Sequence, residues 1–148
     1  MKPIGLVSDT HGLLRPEVIS GLDGVESILH LGDVGDPAIL DRLAEIAPVH
    51  AVRGNVDQGA WARALPWTKS LDLFGASAYL IHDVDQLDFD PEAAGIRLVF
   101  YGHSHVPKCE QRDGVTWINP GSIGPRRFRL PVSYALLMPD LSVDFVTL

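Results

Sequence analysis

Five short apolar runs, each with the length and β-branched content of a buried strand, constrain this chain most: Ile4 to Val7, Ile28 to Leu31, Val49 to Val52, Tyr79 to Ile81 and Leu98 to Tyr101. Two helical segments lie between the early runs. Pro16 to Leu22 takes proline at its first position, and Ala38 to Ala47, entered through Asp36-Pro37, repeats Ile39, Leu40, Leu43, Ala44 and Ala47 at helical spacing. Such alternation of strand and helix implies parallel pairing with right-handed crossovers. Further strand candidates are Thr68 to Phe74, Val115 to Ile118, Tyr134 to Met138 and Val143 to Thr147. Their links, among them Phe74-Gly75-Ala76, Arg112-Asp113-Gly114 and Pro139-Asp140, are tight turns that favour antiparallel neighbours. A mixed, layered α/β fold is expected, with Pro120 to Pro131 as a long ordered loop.

At 148 residues, with no repeat, low-complexity tract or linker, the chain is expected to form one domain over 1–148 with a substantial core. No apolar run approaches the roughly 20 residues of a bilayer-spanning helix. Met1 to Val7 leads straight into a patterned segment instead of a signal peptide, so a cytoplasmic protein is expected. A lone cysteine, Cys109, permits no intrachain disulfide and is expected to pack within a strand. The net charge of −7 argues against a nucleic-acid polymer as partner, yet a small anionic substrate remains compatible if a metal supplies positive charge.

Each of the five runs ends, within a few residues, in a group that can bind a metal. Asp9 and His11 follow the first, Asp33 the second, Asn55 the third, His82 the fourth, and His103 and His105 the fifth. Ligands of open α/β sheets bind at the carboxyl ends of strands, so these seven side chains should converge on one edge. Singly, each has an ordinary explanation as a turn, a cap or a satisfied histidine. At five successive strand ends those explanations would all have to coincide. Two Asp, one Asn and four His form an oxygen and nitrogen donor set that suits divalent manganese, iron, zinc or nickel; donor type does not choose among them, and manganese is the ion expected first, with nickel, iron or zinc as alternatives. Seven donors exceed what one tetrahedral ion uses, and two ions sharing a carboxylate would use them all. His30 and His50 fall inside or beside the runs and are assigned to packing or surface roles.

In order, the residues read Asp9-Thr10-His11, Gly32-Asp33, Gly54-Asn55-Val56-Asp57, His82 and Gly102-His103-Ser104-His105. This series resembles that of the calcineurin-like metallophosphoesterase superfamily. With Asn119-Pro120-Gly121-Ser122, the chain is similar to the compact bacterial and archaeal phosphodiesterase branch related to the eukaryotic retromer scaffold subunit. The resemblance implies a four-layer αββα sandwich, two mixed sheets face to face with helices outside. It places one ion on Asp9, His11, Asp33 and His105 and the other on Asp33, Asn55, His82 and His103. It makes Asp33, Asn55 and His82 catalytic, with a water or hydroxide between the ions attacking phosphorus in small phosphodiesters. A membrane is not expected as partner, and oligomeric state stays open, a homo-oligomer included. The alternative is a protein-interaction scaffold or a metal-binding regulatory domain on the same fold.

Two positions depart from the family pattern. Larger members place a His after Gly-Asn and the small branch commonly a Cys, whereas Val56 can donate no proton, which implies a preference for good leaving groups such as aryl phosphodiesters. Asp83 follows His82 where the branch usually has Gly, and is expected to face solvent. Asp57 is either a partner of a metal-binding group or a helix N-cap, Arg126 and Arg127 read as solvated loop charges, and Trp61 and Trp67 as core packing.

Overall fold

The computed structural model describes residues 1–148. Its strands are β1 (Ile4–Val7), β2 (Ser27–His30), β3 (Val49–Ala51), β4 (Thr68–Leu73), β5 (Ala76–Ile81), β6 (Leu98–Phe100), β7 (Lys108–Arg112), β8 (Val115–Asn119), β9 (Ser133–Leu137) and β10 (Val143–Thr147). Helices α1 (Pro16–Gly21), α2 (Pro37–Ala44) and α3 (Ala60–Arg63) are short. Pro16 and Pro37 stand at the starts of α1 and α2, and Asp36 caps α2 by accepting from the Ala38 N–H.

Two five-stranded sheets form, in the orders β10-β9-β1-β2-β3 and β4-β5-β6-β8-β7. Pairs β1/β2, β2/β3, β5/β6 and β6/β8 are parallel, with β3 as a parallel edge of the first sheet, and antiparallel pairs complete each sheet. The five strands read as one set are thus divided, three to one sheet and two to the other. Phe74-Gly75 and Asp113-Gly114 link β4 to β5 and β7 to β8. All four residues carry left-handed φ, as a two-residue hairpin turn matching strand twist requires.

The expected sandwich of two mixed sheets is present. Leu6, Leu29 and Leu31 meet Leu80, Leu98, Phe100 and Ile118 between the sheets. The outer face of the first sheet is covered by α1 and α2 through Val18, Leu22, Ile39 and Leu43. The outer face of the second is covered by a 3-10 turn, Val84–Gln86, and the segment up to Ile96, since Pro91 and Gly95 leave too little chain for a longer helix. Strand β7 has no apolar alternation because it is an exposed edge, and Cys109 on it is exposed, contrary to its expected packing.

His30 ends β2 fully buried. Its Nδ1 accepts from the Gly32 N–H at 3.1 Å, so Nε2 carries the proton and donates to Thr10 Oγ1 at 3.0 Å, which donates to the Val34 carbonyl at 2.7 Å. Burial pushes the imidazole down from 6.5 to about 4, against the raising effect of Asp9 and Asp57. A folded-state value below the unfolded one means that only the unfolded chain takes up this proton between pH 6.5 and 4. His30 is therefore expected to remove about 3 kcal/mol of stability as pH falls through that window. Denaturant titrations at pH 7, 6, 5 and 4 check this, since His30→Asn should show a shallower acid loss; parallel curves for parent and variant would refute it.

Candidate metal centre

Beyond their strands, the polar termini turn sharply. Five of the nine non-glycine residues with left-handed φ are Asp9, His11, Asp33, His103 and His105. Asp and His tolerate this region better than most residues, but it remains costly, and such strain clusters at functional sites. Strands β1, β2, β3, β5 and β6 all open onto this edge, where the two sheets meet: the His103 N–H, beyond β6, reaches Asp9 Oδ2, beyond β1, at 3.1 Å.

All seven candidate donors come together. Asp9, His11 and His105 form one group and Asp33, His82 and His103 another, the donor atoms of each within 4.8 Å of one another. Asn55 joins the second, its Oδ1 lying 3.1 Å from His82 Nε2 and 3.2 Å from His103 Nδ1. The groups meet at Asp33, whose Oδ2 is 3.2 Å from His82 Nε2 and 3.7 Å from His11 Nε2.

Each aspartate has one oxygen held by the chain and the other presented. Asp9 Oδ2 accepts from Ser8 Oγ at 2.6 Å and from the His103 N–H, leaving Oδ1 3.4 Å from His105 Nε2 and 3.8 Å from His11 Nε2. Asp33 Oδ1 accepts from the Val56 N–H at 3.0 Å, leaving Oδ2 to the site. His82 Nδ1 donates to the Leu31 carbonyl at 2.6 Å, which turns Nε2 inward. Ligands of bound ions are commonly oriented in this way.

Buried polar atoms without a partner supply the test of whether a cation fits. Asp9 Oδ1, His11 Nε2 and both ring nitrogens of His105 are buried and make no hydrogen bond, four of the five such side-chain atoms in the chain. Buried polar atoms are ordinarily satisfied, and a divalent ion would satisfy Asp9 Oδ1, His11 Nε2 and one ring nitrogen of His105 together. Burial alone would raise the Asp33 carboxyl, but the His82 hydrogen bond, the Val56 N–H and the nearby His82 and His11 charges hold it below its usual value. Burial would likewise lower His82, and its bond to Asp33 with the Asp9 and Asp33 charges overcomes this. The Asp33 carboxylate is thus set up as an anion.

Among the surrounding residues, Asp83 and Trp67 differ from expectation. Asp57, buried, caps no helix; its carboxylate accepts from the Val34, Gly35 and Gly54 N–H groups and ties the loop after β2 to the loop after β3. Asp83 faces the site, its Oδ2 3.9 Å from His103 Nε2, instead of solvent. Trp61 packs on the outer core as expected, but Trp67 is 57% exposed. Asn119 and Ser122 brace the site loops from behind, Asn119 donating to the Gly102 carbonyl and Ser122 to the Asp9 carbonyl. Arg126 and Arg127 are exposed.

Residues 1–140 match the calcineurin-like phosphoesterase superfamily domain. A probable metallophosphoesterase of Methanothermobacter thermautotrophicus is 34% identical over 131 residues, 80% of this chain and 76% of that protein. Phosphodiesterase YfcE of Escherichia coli is 31% identical over 169 residues, covering 95% of this chain and 90% of its own length. Among solved structures, Vps29 of Chaetomium thermophilum superposes with a TM-score of 0.79 at 17% identity over 100% of this chain and 96% of its own, a likeness of fold.

Proposed function

This chain belongs to the calcineurin-like phosphoesterase superfamily and is a metal-dependent phosphoesterase, and we propose that it hydrolyses phosphodiesters of small molecules with two divalent cations sharing Asp33. Asp9, His11, Asp33 and His105 would hold one cation and Asp33, Asn55, His82 and His103 the other. The observation that carries this reading is the presented Asp33 Oδ2, within 4 Å of a histidine nitrogen from each group. Bound there, such ions supply Lewis-acid polarisation of the phosphoryl oxygens and an activated water at neutral pH. The chain's own contribution is placement: Ser8 and the His103 N–H fix Asp9, the Val56 N–H fixes Asp33, and the Leu31 carbonyl fixes His82. Asn55 offers a neutral oxygen between His82 and His103, adding no negative charge where a phosphate must approach.

The Val56 side chain, 44% exposed, provides no proton for the departing oxygen. Diesters with unactivated alcohol leaving groups should therefore be slower than aryl diesters by roughly 10²–10⁴-fold, the contribution a positioned general acid makes. One assay series tests the proposal: hydrolysis of bis(4-nitrophenyl) phosphate with manganese, nickel, zinc and magnesium in turn, then of methyl esters with leaving groups of increasing basicity. Metal-stimulated release of nitrophenolate that weakens steeply along the series is expected. Binding of metal without turnover would favour a regulatory domain instead, and equal rates for alkyl and aryl leaving groups would remove the role given to Val56. The unpartnered buried donors favour the enzyme over a scaffold, which has no use for them. Manganese is proposed as the first ion to test, the donor types suiting manganese, iron, zinc and nickel without choosing among them, and residues 1–148 are read as one domain.

A further inference from the structure

Next to the candidate metal centre, and sharing Asn55 and His82 with it, lies a cavity of about 660 Å³. Pockets of 300–1,000 Å³ are typical for small-molecule ligands, so roughly this volume admits a substituent as large as a nucleoside. Trp67 forms part of its wall, and the Arg53 guanidinium lies over the indole, 4.4 Å from the ring centroid. The ring is held in place. Arg53 Nε donates to the Asp57 carbonyl at 3.0 Å, and the Arg53 N–H bonds the Pro66 carbonyl at 2.8 Å, which brings the chain back beside Arg53 just before Trp67. Trp67 is 57% exposed and lines the cavity, so ring surface is open there to a ligand. Asp83 and Asp88 also line the cavity, so a further phosphate there would meet like charge, whereas a planar ring with polar edges would stack and find hydrogen-bond partners in Gln86 and Thr68.

We propose that this cavity is the subsite for an aromatic, nucleoside-like substituent of the substrate, its ring stacked on Trp67 while the phosphate occupies the neighbouring metal centre. The assignment rests on the phosphodiesterase reading for the position of the phosphate. It makes Trp67 a specificity residue.

Adenosine 5′-monophosphate and ribose 5-phosphate share a phosphate and a sugar and differ in the ring. Titrated calorimetrically into the full chain equilibrated with manganese chloride, the nucleotide should bind about tenfold more tightly, as expected for one stacked base. That ratio should fall to about one in Trp67→Ala and persist largely in Trp67→Phe. Equal affinities in the parent chain, failure of both to bind, or a ratio that survives Trp67→Ala would overturn the subsite. Hydrolysis of bis(4-nitrophenyl) phosphate by the same samples separates the two readings. Turnover without a ring preference removes the subsite alone, and a Trp67-dependent ring preference without turnover removes the hydrolase reading and keeps the subsite.

Discussion

Replacing Asp33 with alanine is expected to lower kcat/KM for bis(4-nitrophenyl) phosphate by about a thousandfold, the rate equivalent of several kcal/mol of metal-derived charge stabilisation. Asp33 is buried, and its two oxygens have separate tasks: Oδ1 takes the Val56 N–H at 3.0 Å and Oδ2 faces His82 and His11. Alanine removes both, so Asp33→Asn serves as the second variant. Asparagine keeps an acceptor for Val56 and nearly the same shape, but loses the charge that two cations would share. Asn should therefore melt close to the parent, while atomic-emission measurement finds fewer ions retained per chain in both variants. Activity within tenfold of the parent, with metal content unchanged, would remove Asp33 from the centre of the site.

The runs before Asp9, Asp33 and His103 were legible in the sequence because β1, β2 and β6, buried nearly throughout, read as near-continuous apolar stretches, whereas β3 and β5, before Asn55 and His82, are only partly buried and give a weaker signal. Their convergence follows from chain direction alone. Division into two sheets was legible only through the family resemblance of the motif series, since an apolar run by itself carries no record of its neighbour. The change of sheet comes between β3 and β4, across a connection of residues 52–67 that carries only the four-residue α3. Edge strand β7 was hidden because Lys108-Cys109-Glu110-Gln111-Arg112, exposed nearly throughout, depends on its ladder to β8 and buries no alternating face. Donor identities were legible while donor orientation was not. The N–H that fixes Asp9 comes from His103, 94 residues along the chain, and the one that fixes Asp33 from Val56, which the sequence marks only by what its side chain lacks. Trp67 reads as core in the sequence because composition favours burial of an indole, and its place in a cavity wall beside Arg53, earlier in the chain, leaves no local pattern.

A single methyl group at Gly54 should disturb this centre more than most changes to the side chains around it. A Cβ built there would collide with the backbone nitrogen and the Oδ1 of Asp33, and would lie 2.8 Å from the Asp33 Cα. Two of those atoms are backbone and cannot rotate away. Gly54 is itself tied through its N–H to Asp57 Oδ2 at 2.9 Å, and the same carboxylate holds the Val34 and Gly35 N–H groups beyond Asp33. The methyl therefore has to push apart two loops that Asp57 binds together. Overpacking of this kind costs about 1–3 kcal/mol, which in a chain of this size lowers Tm by roughly 2–12 °C. The displacement falls on Asp33 and on the adjoining Asn55, and a misplacement of about 1 Å in a positioned group can cost on the order of 100-fold in rate. Gly54→Ala should thus lose both stability and turnover. Gly75→Ala separates the two effects: Gly75 sits in the β4–β5 turn with a φ of +80° and nothing within 4 Å of its added methyl. Alanine there should cost about 1–2 kcal/mol from left-handed strain alone and leave hydrolysis intact, because the turn holds no donor. Calorimetric melting and bis(4-nitrophenyl) phosphate turnover on both variants decide the matter. Full activity in Gly54→Ala would mean that the Asp33 and Asn55 loops slide past one another freely, and the rigid placement on which the two-cation reading depends would have to be abandoned.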